Sequence, residues 1–299
     1  MEKILITGGS GLIGTKLTRL LIAEGYEIIH LVRHPTPNAA VKQVTWNPEK
    51  NELNEGVFND VDHVIHLAGS NISGGRWTKK RKAEIRSSRI DTAKLLFEKS
   101  ANASLKTLVS ASGISIYGTR TSEKIFHETD PVASDFLAQV TTDWEKAADA
   151  FRTRNVRVVK LRTAVVLAKE GGALQKMAKP VRMGFGSTLG SGKQYLPWIH
   201  IADLCDLYLK AIRDTTMKGA YNAAAPEHLT NKELTQKIAQ VLQKKIWLPA
   251  APSFVLKLAF GEMANLVLKG SRISSVKIQQ AGFVFQYPGI DEALKDCLP

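Results

Sequence analysis

Gly8, Gly11 and Gly14 recur at three-residue spacing in Thr7-Gly8-Gly9-Ser10-Gly11-Leu12-Ile13-Gly14, just after the apolar run Ile4, Leu5, Ile6 and at the start of a helical pattern. Such residues bring no acid, base or nucleophile; what they offer is backbone. Gly8 permits a tight turn, Gly11 removes the Cβ that would block a pyrophosphate, and Gly14 lets helix and strand pack closely. The N–H groups of Leu12 and Ile13 at the helix start are then placed to bind phosphate oxygens. That is dinucleotide chemistry. A second strand pattern ends at Val32, and Arg33 follows where NAD-binding sheets usually carry an acid for the ribose 2′-hydroxyl. A planar guanidinium suits a 2′-phosphate instead, so the expected cofactor is NADP.

Other candidates stand at the ends of further apolar runs. Leu67, Ala68 and Gly69 close the run 61–67, where small residues let backbone pass near a cofactor. Arg76, in the turn beyond, is expected at the cofactor or at the substrate. Ser112 ends the run 107–112, and Tyr117 follows in Ile116-Tyr117-Gly118 as an expected substrate contact. Arg162 lies near the end of a strand expected over 156–167 and is expected at the cofactor. Trp198 and His200, after the glycine-rich stretch 184–192, are expected to wall and contact the substrate. Trp198 with Arg76 at the opposite lip suits a ring-bearing anionic ligand. His66 reads as a packed histidine.

These residues need a scaffold. Helix patterns over 12–23, up to Phe97 and over 134–152 alternate with strand patterns over 26–32, 61–67, 107–112, 156–167 and 219–224. Strands and helices in this alternation give an α/β fold with a doubly wound parallel sheet. Ligands bind such sheets beyond the carboxyl ends of their strands, so Gly8, Ala68-Gly69, Ser112 and Thr163 should line one crevice. Asp203 is expected to cap a helix running to Arg213. The segments 230–241, 253–268 and 291–298 read as mostly helical, and 283–285 as a short strand. Residues 1–170, with 196–224 returning, are expected to form the dinucleotide domain; 171–195 and 225–299 are expected to form a small, mostly helical substrate lobe.

Composition narrows the classes. The chain has 299 residues, 44% of them hydrophobic, and a net charge of +13. No zinc finger, RNA-binding signature or basic stripe with interleaved aromatics accompanies that charge, so it reads as a solvated basic surface with anion sites rather than a nucleic-acid interface. Seven of the fourteen residues from Arg76 to Arg89 are Lys or Arg, and Lys79–Lys82 read as a solvated helix face. The two cysteines, Cys205 and Cys297, lack metal-ligand spacing and suit a reducing compartment. No uncharged apolar stretch reaches the roughly 18 residues of a membrane span; the nearest, 254–268, is broken by Lys257, Gly261 and Glu262. The expectation is a soluble cytoplasmic protein whose partner is a small-molecule substrate, with no metal, nucleic acid or membrane, and with a homodimer left open.

The motifs resemble those of the extended short-chain dehydrogenase/reductases, the nucleotide-sugar epimerases and dehydratases. The matching residues are Thr7–Gly14, His66-Leu67-Ala68-Gly69, Ser112 before Tyr117-Gly118, and Ile199-His200-Ile201-Ala202-Asp203-Leu204. Arg76-Trp77-Thr78, Arg86-Ser87-Ser88-Arg89, Asp143-Trp144-Glu145, Leu161-Arg162-Thr163, Gly261-Glu262-Met263-Ala264 and Ala281-Gly282-Phe283 are similar to the "epimerase family protein" branch, which ends in a domain of unknown function. The resemblance spans nearly the whole chain. It implies a Rossmann sheet with a small C-terminal lobe, and NADP rather than NAD.

One departure bears on function. Catalytic members of that superfamily use a Tyr as general acid or base and a Lys four residues later that lowers its pKa. Tyr26, Tyr117, Tyr195, Tyr208, Tyr221 and Tyr287 are followed four positions on by His30, Thr121, Ile199, Ile212, Ala225 and Asp291. Phe136 and Val140 stand in the slots of the pair, and Ser112 alone remains of the usual triad. Two functions are therefore open: an NADP-dependent epimerase or oxidoreductase with an atypical acid/base group, or an NADP-binding sensor or assembly factor without turnover.

Overall fold

The computed structural model describes residues 1–298. β1 (Lys3–Thr7) runs into α1 (Leu12–Ala23), and β2 (Glu27–Val32), β3 (Lys42–Asn47), β4 (Glu52–Leu53) and β5 (His63–His66) follow. α2 (Lys79–Lys99), β6 (Thr107–Gly113), β7 (Ser122–Phe126), α3 (Phe136–Asp149), β8 (Arg157–Thr163) and β9 (Val165–Leu167) continue the chain. Next come α4 (Gly172–Arg182), β10 (Trp198–His200), α5 (Ile201–Arg213), β11 (Gly219–Ala223) and α6 (Asn231–Val241). The chain closes with α7 (Ser253–Phe260), α8 (Asn265–Leu268), β12 (Ser271–Ile273), α9 (Val276–Gln280) and α10 (Ile290–Cys297).

The main sheet has eight strands in the order β11-β8-β6-β5-β1-β2-β3-β4, parallel except where β4 returns against β3. The alternation of β1 decides the layers. Ile4 and Ile6 pack with Leu17 and Leu21 of α1 and with Leu204, Leu207 and Tyr208 of α5. Leu5 points to the other face and packs with Leu95 and Leu96 of α2, Ala148 of α3 and Phe151 just beyond it. Both faces being covered, the central strand β1 is apolar across Ile4, Leu5 and Ile6. The chain winds outward in opposite directions from β1 and β5, so the crevice at the switch point lies over their carboxyl ends.

Three expectations change on the structure. The strand expected over 156–167 is two: the chain breaks at Ala164, whose N–H donates to Ala223 O, and β9 leaves the sheet to pair with β10. No strand forms at 283–285; Phe283 and Phe285 stack edge to face at 4.9 Å and close the core over α5. The late strand is β12 instead, which pairs with β7 and ties the lobe to the Rossmann body. Asp203 is not the cap of α5. His200 caps it, and Asp203 accepts from the N–H groups of Gln286 and Tyr287 at 2.6 and 3.1 Å. α4, α6 and α10 share a third apolar cluster that forms the lobe. No helix among the described residues is long and apolar enough to cross a membrane.

The glycine turn is the tightest part of the scaffold. Gly8 has φ +72°, and a Cβ there would meet Leu67 C at 3.0 Å. A Cβ on Gly14 would fall 2.3 Å from Gly8 O and 2.6 Å from Gly9 Cα. Gly14→Ala is expected to cost about 1–3 kcal/mol of stability by overpacking, measured as a lower midpoint in urea unfolding; an unchanged midpoint would contradict this geometry.

Candidate functional site

α1 begins bare. Its N-cap is Gly11, with no side-chain cap and no acidic residue in the first turn. The N–H groups of Leu12 and Ile13 therefore combine missing partners with the positive end of the helix dipole, which is the chemistry of a phosphate cradle. The turn rests on buried histidines. A Cβ on Gly9 would collide with the His30 ring, whose Nε2 meets Thr18 Oγ1 at 2.8 Å. His66 links β1 to α2. Ala68 N–H donates to Thr7 Oγ1, so the Thr7 hydroxyl proton points to His66 Nδ1 at 2.7 Å, and the His66 Nε2 proton faces Thr92 Oγ1 and Arg89 O. Burial drives the His66 pKa down to about 4 and keeps the ring neutral.

The rim beyond β5 holds a cation that the sequence reading gave no role. Arg89 of α2 lies half-buried under Gly69, where a Cβ would stand 3.0 Å from its Cζ. Its Nη1 and Nη2 donate to the carbonyls of Ile85 and Ser70, each at 3.0 Å, and its plane faces Trp144 at 5.3 Å. Burial lowers its pKa to about 10. A desolvated guanidinium answered only by carbonyls is a place an anion stabilises. Its signal was Arg86-Ser87-Ser88-Arg89, read only as a likeness. Arg33 is exposed just past β2. Arg76 is exposed, and its Nη2 donates to Leu258 O at 3.1 Å, so it holds α7 at the crevice lip. Beside it Lys82 pairs with Glu262 at 2.5 Å, and Lys176 of α4 reaches Ser73 at 3.2 Å.

At the ends of β6 and β8 the structure reassigns several residues. Ser112 is 5% exposed and donates to Glu145 Oε1 at 2.7 Å. Arg162 is expected at the cofactor, yet its donors go elsewhere: Nε and Nη2 to Glu145 at 2.8 and 3.0 Å, Nη1 to Tyr117 Oη and Glu128 O. Tyr117 is expected at the substrate, but it is 2% exposed and donates to Asn222 Oδ1 at 2.7 Å. Burial pushes its pKa up to about 12, so the phenol stays protonated. Burial alone would raise the Glu145 pKa; the hydrogen bonds from Arg162 and Ser112 more than offset this and hold it below the ordinary 4.5. Glu145 was visible in the sequence only inside Asp143-Trp144-Glu145. What remains nearer the surface is Ser115, half-exposed, at 2.8 Å from Thr141 Oγ1.

Trp198 and His200 also leave the substrate. Trp198 is fully buried in the lobe core and presents no wall to a ligand. His200 is 1% exposed; Nδ1 accepts from Ala202 N–H at 3.2 Å and Nε2 lies 3.1 Å from Asp296 Oδ2. His200, Asp296 and Cys297 bring ligand atoms within 4.8 Å of one another. With Nδ1 accepting and the ring proton on Nε2 directed at Asp296, neither nitrogen offers a metal a lone pair. In the slots of the absent Tyr-Lys pair, Phe136 stacks on Trp77 at 5.5 Å and Val140 is 2% exposed beside Ile85.

Known proteins resemble this arrangement along its length. Residues 4–224 match the NAD dependent epimerase/dehydratase family, and residues 251–297 match a domain of unknown function (DUF1731). An epimerase family protein of Mycobacterium bovis is 36% identical over 97% of this chain and 96% of its own. An epimerase family protein of Bacillus subtilis is 35% identical over 99% and 97%. The crystal structure of human epimerase family protein SDR39U1 with NADPH superposes with a TM-score of 0.87 at 32% identity, covering 99% of this chain and 98% of that one.

Removing one partner of a buried ion pair strands the other. Glu145→Gln is therefore expected to cost about 3–5 kcal/mol in chemical denaturation. Because the folded-state pKa of Glu145 is depressed, its contribution is complete above 4.5 and lost as pH falls through the folded value. Wild type should then lose stability on acidification below that pH more steeply than Glu145→Gln; parallel curves would show that the pair contributes nothing.

Proposed function

The chain belongs to the NAD dependent epimerase/dehydratase family, and from that premise we propose that it binds NADP(H) over β1 and β5 and acts as an oxidoreductase or epimerase on a small carbonyl or nucleotide-sugar-like substrate. The observation that carries this reading is the uncapped start of α1 above the Gly8–Gly14 turn, with Arg33 exposed at the next strand end. That a relative matching over 98% of its length was crystallised with NADPH supports it. Leu12 and Ile13 bind the pyrophosphate through backbone N–H. Arg33 holds the 2′-phosphate, the Leu67–Gly69 backbone lines the ribose side, and Arg89 adds positive charge beneath it. When bound, the nicotinamide supplies or accepts a hydride. Arg76 fixes α7 over the opening and so sets how far water reaches the crevice.

A second reading, cofactor binding without turnover by a sensor or assembly factor, is favoured by one observation. The hydroxyls of Ser112 and Tyr117 are already committed to Glu145 and Asn222 beneath the crevice. Oxidation of NADPH on exposure to a panel of carbonyls and nucleotide sugars separates the two: turnover favours the enzyme, tight binding without oxidation the sensor.

Cofactor choice rests on Arg33. Arg33→Ala should weaken NADPH by roughly 1.5–3 kcal/mol, the scale of a hydrogen bond to a charged group, and leave NADH little changed. Titration calorimetry checks this, and equal wild-type affinities for NADPH and NADH would sink it.

A further inference from the structure

The C-terminal lobe exposes large apolar side chains on one run of surface. Met183 and Phe185, after α4, are each 60% exposed, Trp247 is 68%, and Phe254 and Leu258 of α7 are 72% and 76%. These segments adjoin. Trp247 Nε1 donates to Gly184 O at 3.0 Å, Ser187 Oγ to Pro249 O at 3.0 Å, and Leu189 bridges Ala251 just before α7. α7 buries none of its residues, and Phe254 and Leu258, four apart, share one face of it.

The charge around this surface is mostly of one sign. Residues 171–195 and 234–261 contain no Asp or Glu, yet each holds four Lys or Arg. Lys179, Arg182, Lys244, Lys245 and Lys257 are all exposed. Aromatic and aliphatic side chains flanked by cations, with the carboxylate next to α7, Glu262, held by Lys82 at 2.5 Å, match the boundary between acyl chains and acidic headgroups. An acidic protein would match the cations but not so open an apolar face, which calls for a partner that buries it without fixed shape. We propose that this face docks on the surface of a lipid bilayer rich in anionic headgroups, α7 lying in the interface with Phe254 and Leu258 inserted and the lysines at the phosphates.

The absence of a spanning segment does not bear on this, because surface docking needs an amphipathic face rather than a span. The proposal is independent of the cofactor reading. It does touch the crevice, since α7 carries the Leu258 carbonyl that accepts from Arg76.

Co-sedimentation of the full chain with phosphatidylglycerol-containing vesicles, against pure phosphatidylcholine, tests it. Binding should be roughly tenfold or more stronger to the anionic vesicles and should weaken with salt. Trp247 emission should shift to the blue on binding, and the shift should vanish in Trp247→Phe. The double variant Phe254→Ser/Leu258→Ser changes only exposed side chains, so it should keep the wild-type melting temperature and lose roughly tenfold in vesicle affinity. Failure to sediment with anionic vesicles at low salt would overturn the proposal. So would binding that the double variant retains with no shift of Trp247, as a charge-only patch for an acidic protein would give.

Discussion

A buried carboxylate has to be answered by charge and hydrogen bonds, and Glu145 is answered from three directions. Arg162 of β8 grips both its oxygens, Ser112 of β6 donates to one, and Lys160 stands 3.5 Å from the other. The same Arg162 donates to Tyr117, and Tyr117 to Asn222 of β11, whose amide reaches Phe126 O of β7 and Ser274 O after β12. One network therefore joins α3, three neighbouring strands and the small β7–β12 pair that anchors the lobe. The far end of the crevice has its shape because this network is closed.

The two ends of the crevice are built on different physics. At the β1 end the backbone is left open: N–H groups at the start of α1 have no partners, and glycines keep side chains away. At the β6–β8 end Ser112, Tyr117, Glu145, Arg162 and Asn222 satisfy one another within the protein. Open donors select an anion, whereas closed networks select a conformation. At the sealed end the Ser112 and Tyr117 hydroxyls are committed to Glu145 and Asn222. Ser115, hydrogen-bonded to the buried Thr141, is half-exposed at that end.

The legible part of the sequence was the local part. Gly8, Gly11 and Gly14 mean a cradle because spacing, preceding strand and following helix all lie within a dozen residues. The sheet was equally readable, since short apolar runs such as Ile4–Ile6 bounded by glycines read as buried strands in an α/β chain. Arg162, Tyr117, Trp198 and His200 misled for one shared reason. A polar or aromatic residue at a strand end faces either a ligand or a distant partner, and only the fold supplies the partner. Tyr117 meets Asn222 across 105 positions and His200 meets Asp296 across 96. Arg89 and Glu145 were overlooked from the opposite side: a charge that turns inward has no local mark, whether in α2 with its many Lys and Arg or in α3 beside Asp143, Lys146 and Asp149.

Net charge shows the same limit. A balance of +13 read from composition says nothing about where the cations stand. In the fold, many of the α2 cations are matched: Arg81 with Glu84, Lys82 with Glu262, Arg86 with Asp143 and Lys99 with Glu55. Around α7, Lys237 is matched by Asp291, but Lys179, Lys244, Lys245 and Lys257 have no ion pair among the described residues. Exposed Phe, Leu and Trp cost solubility and return no folding stability, because these groups gain few contacts by folding. Residues so placed are explained by something outside the chain, and the surface they define is continuous with the helix that Arg76 holds over the crevice.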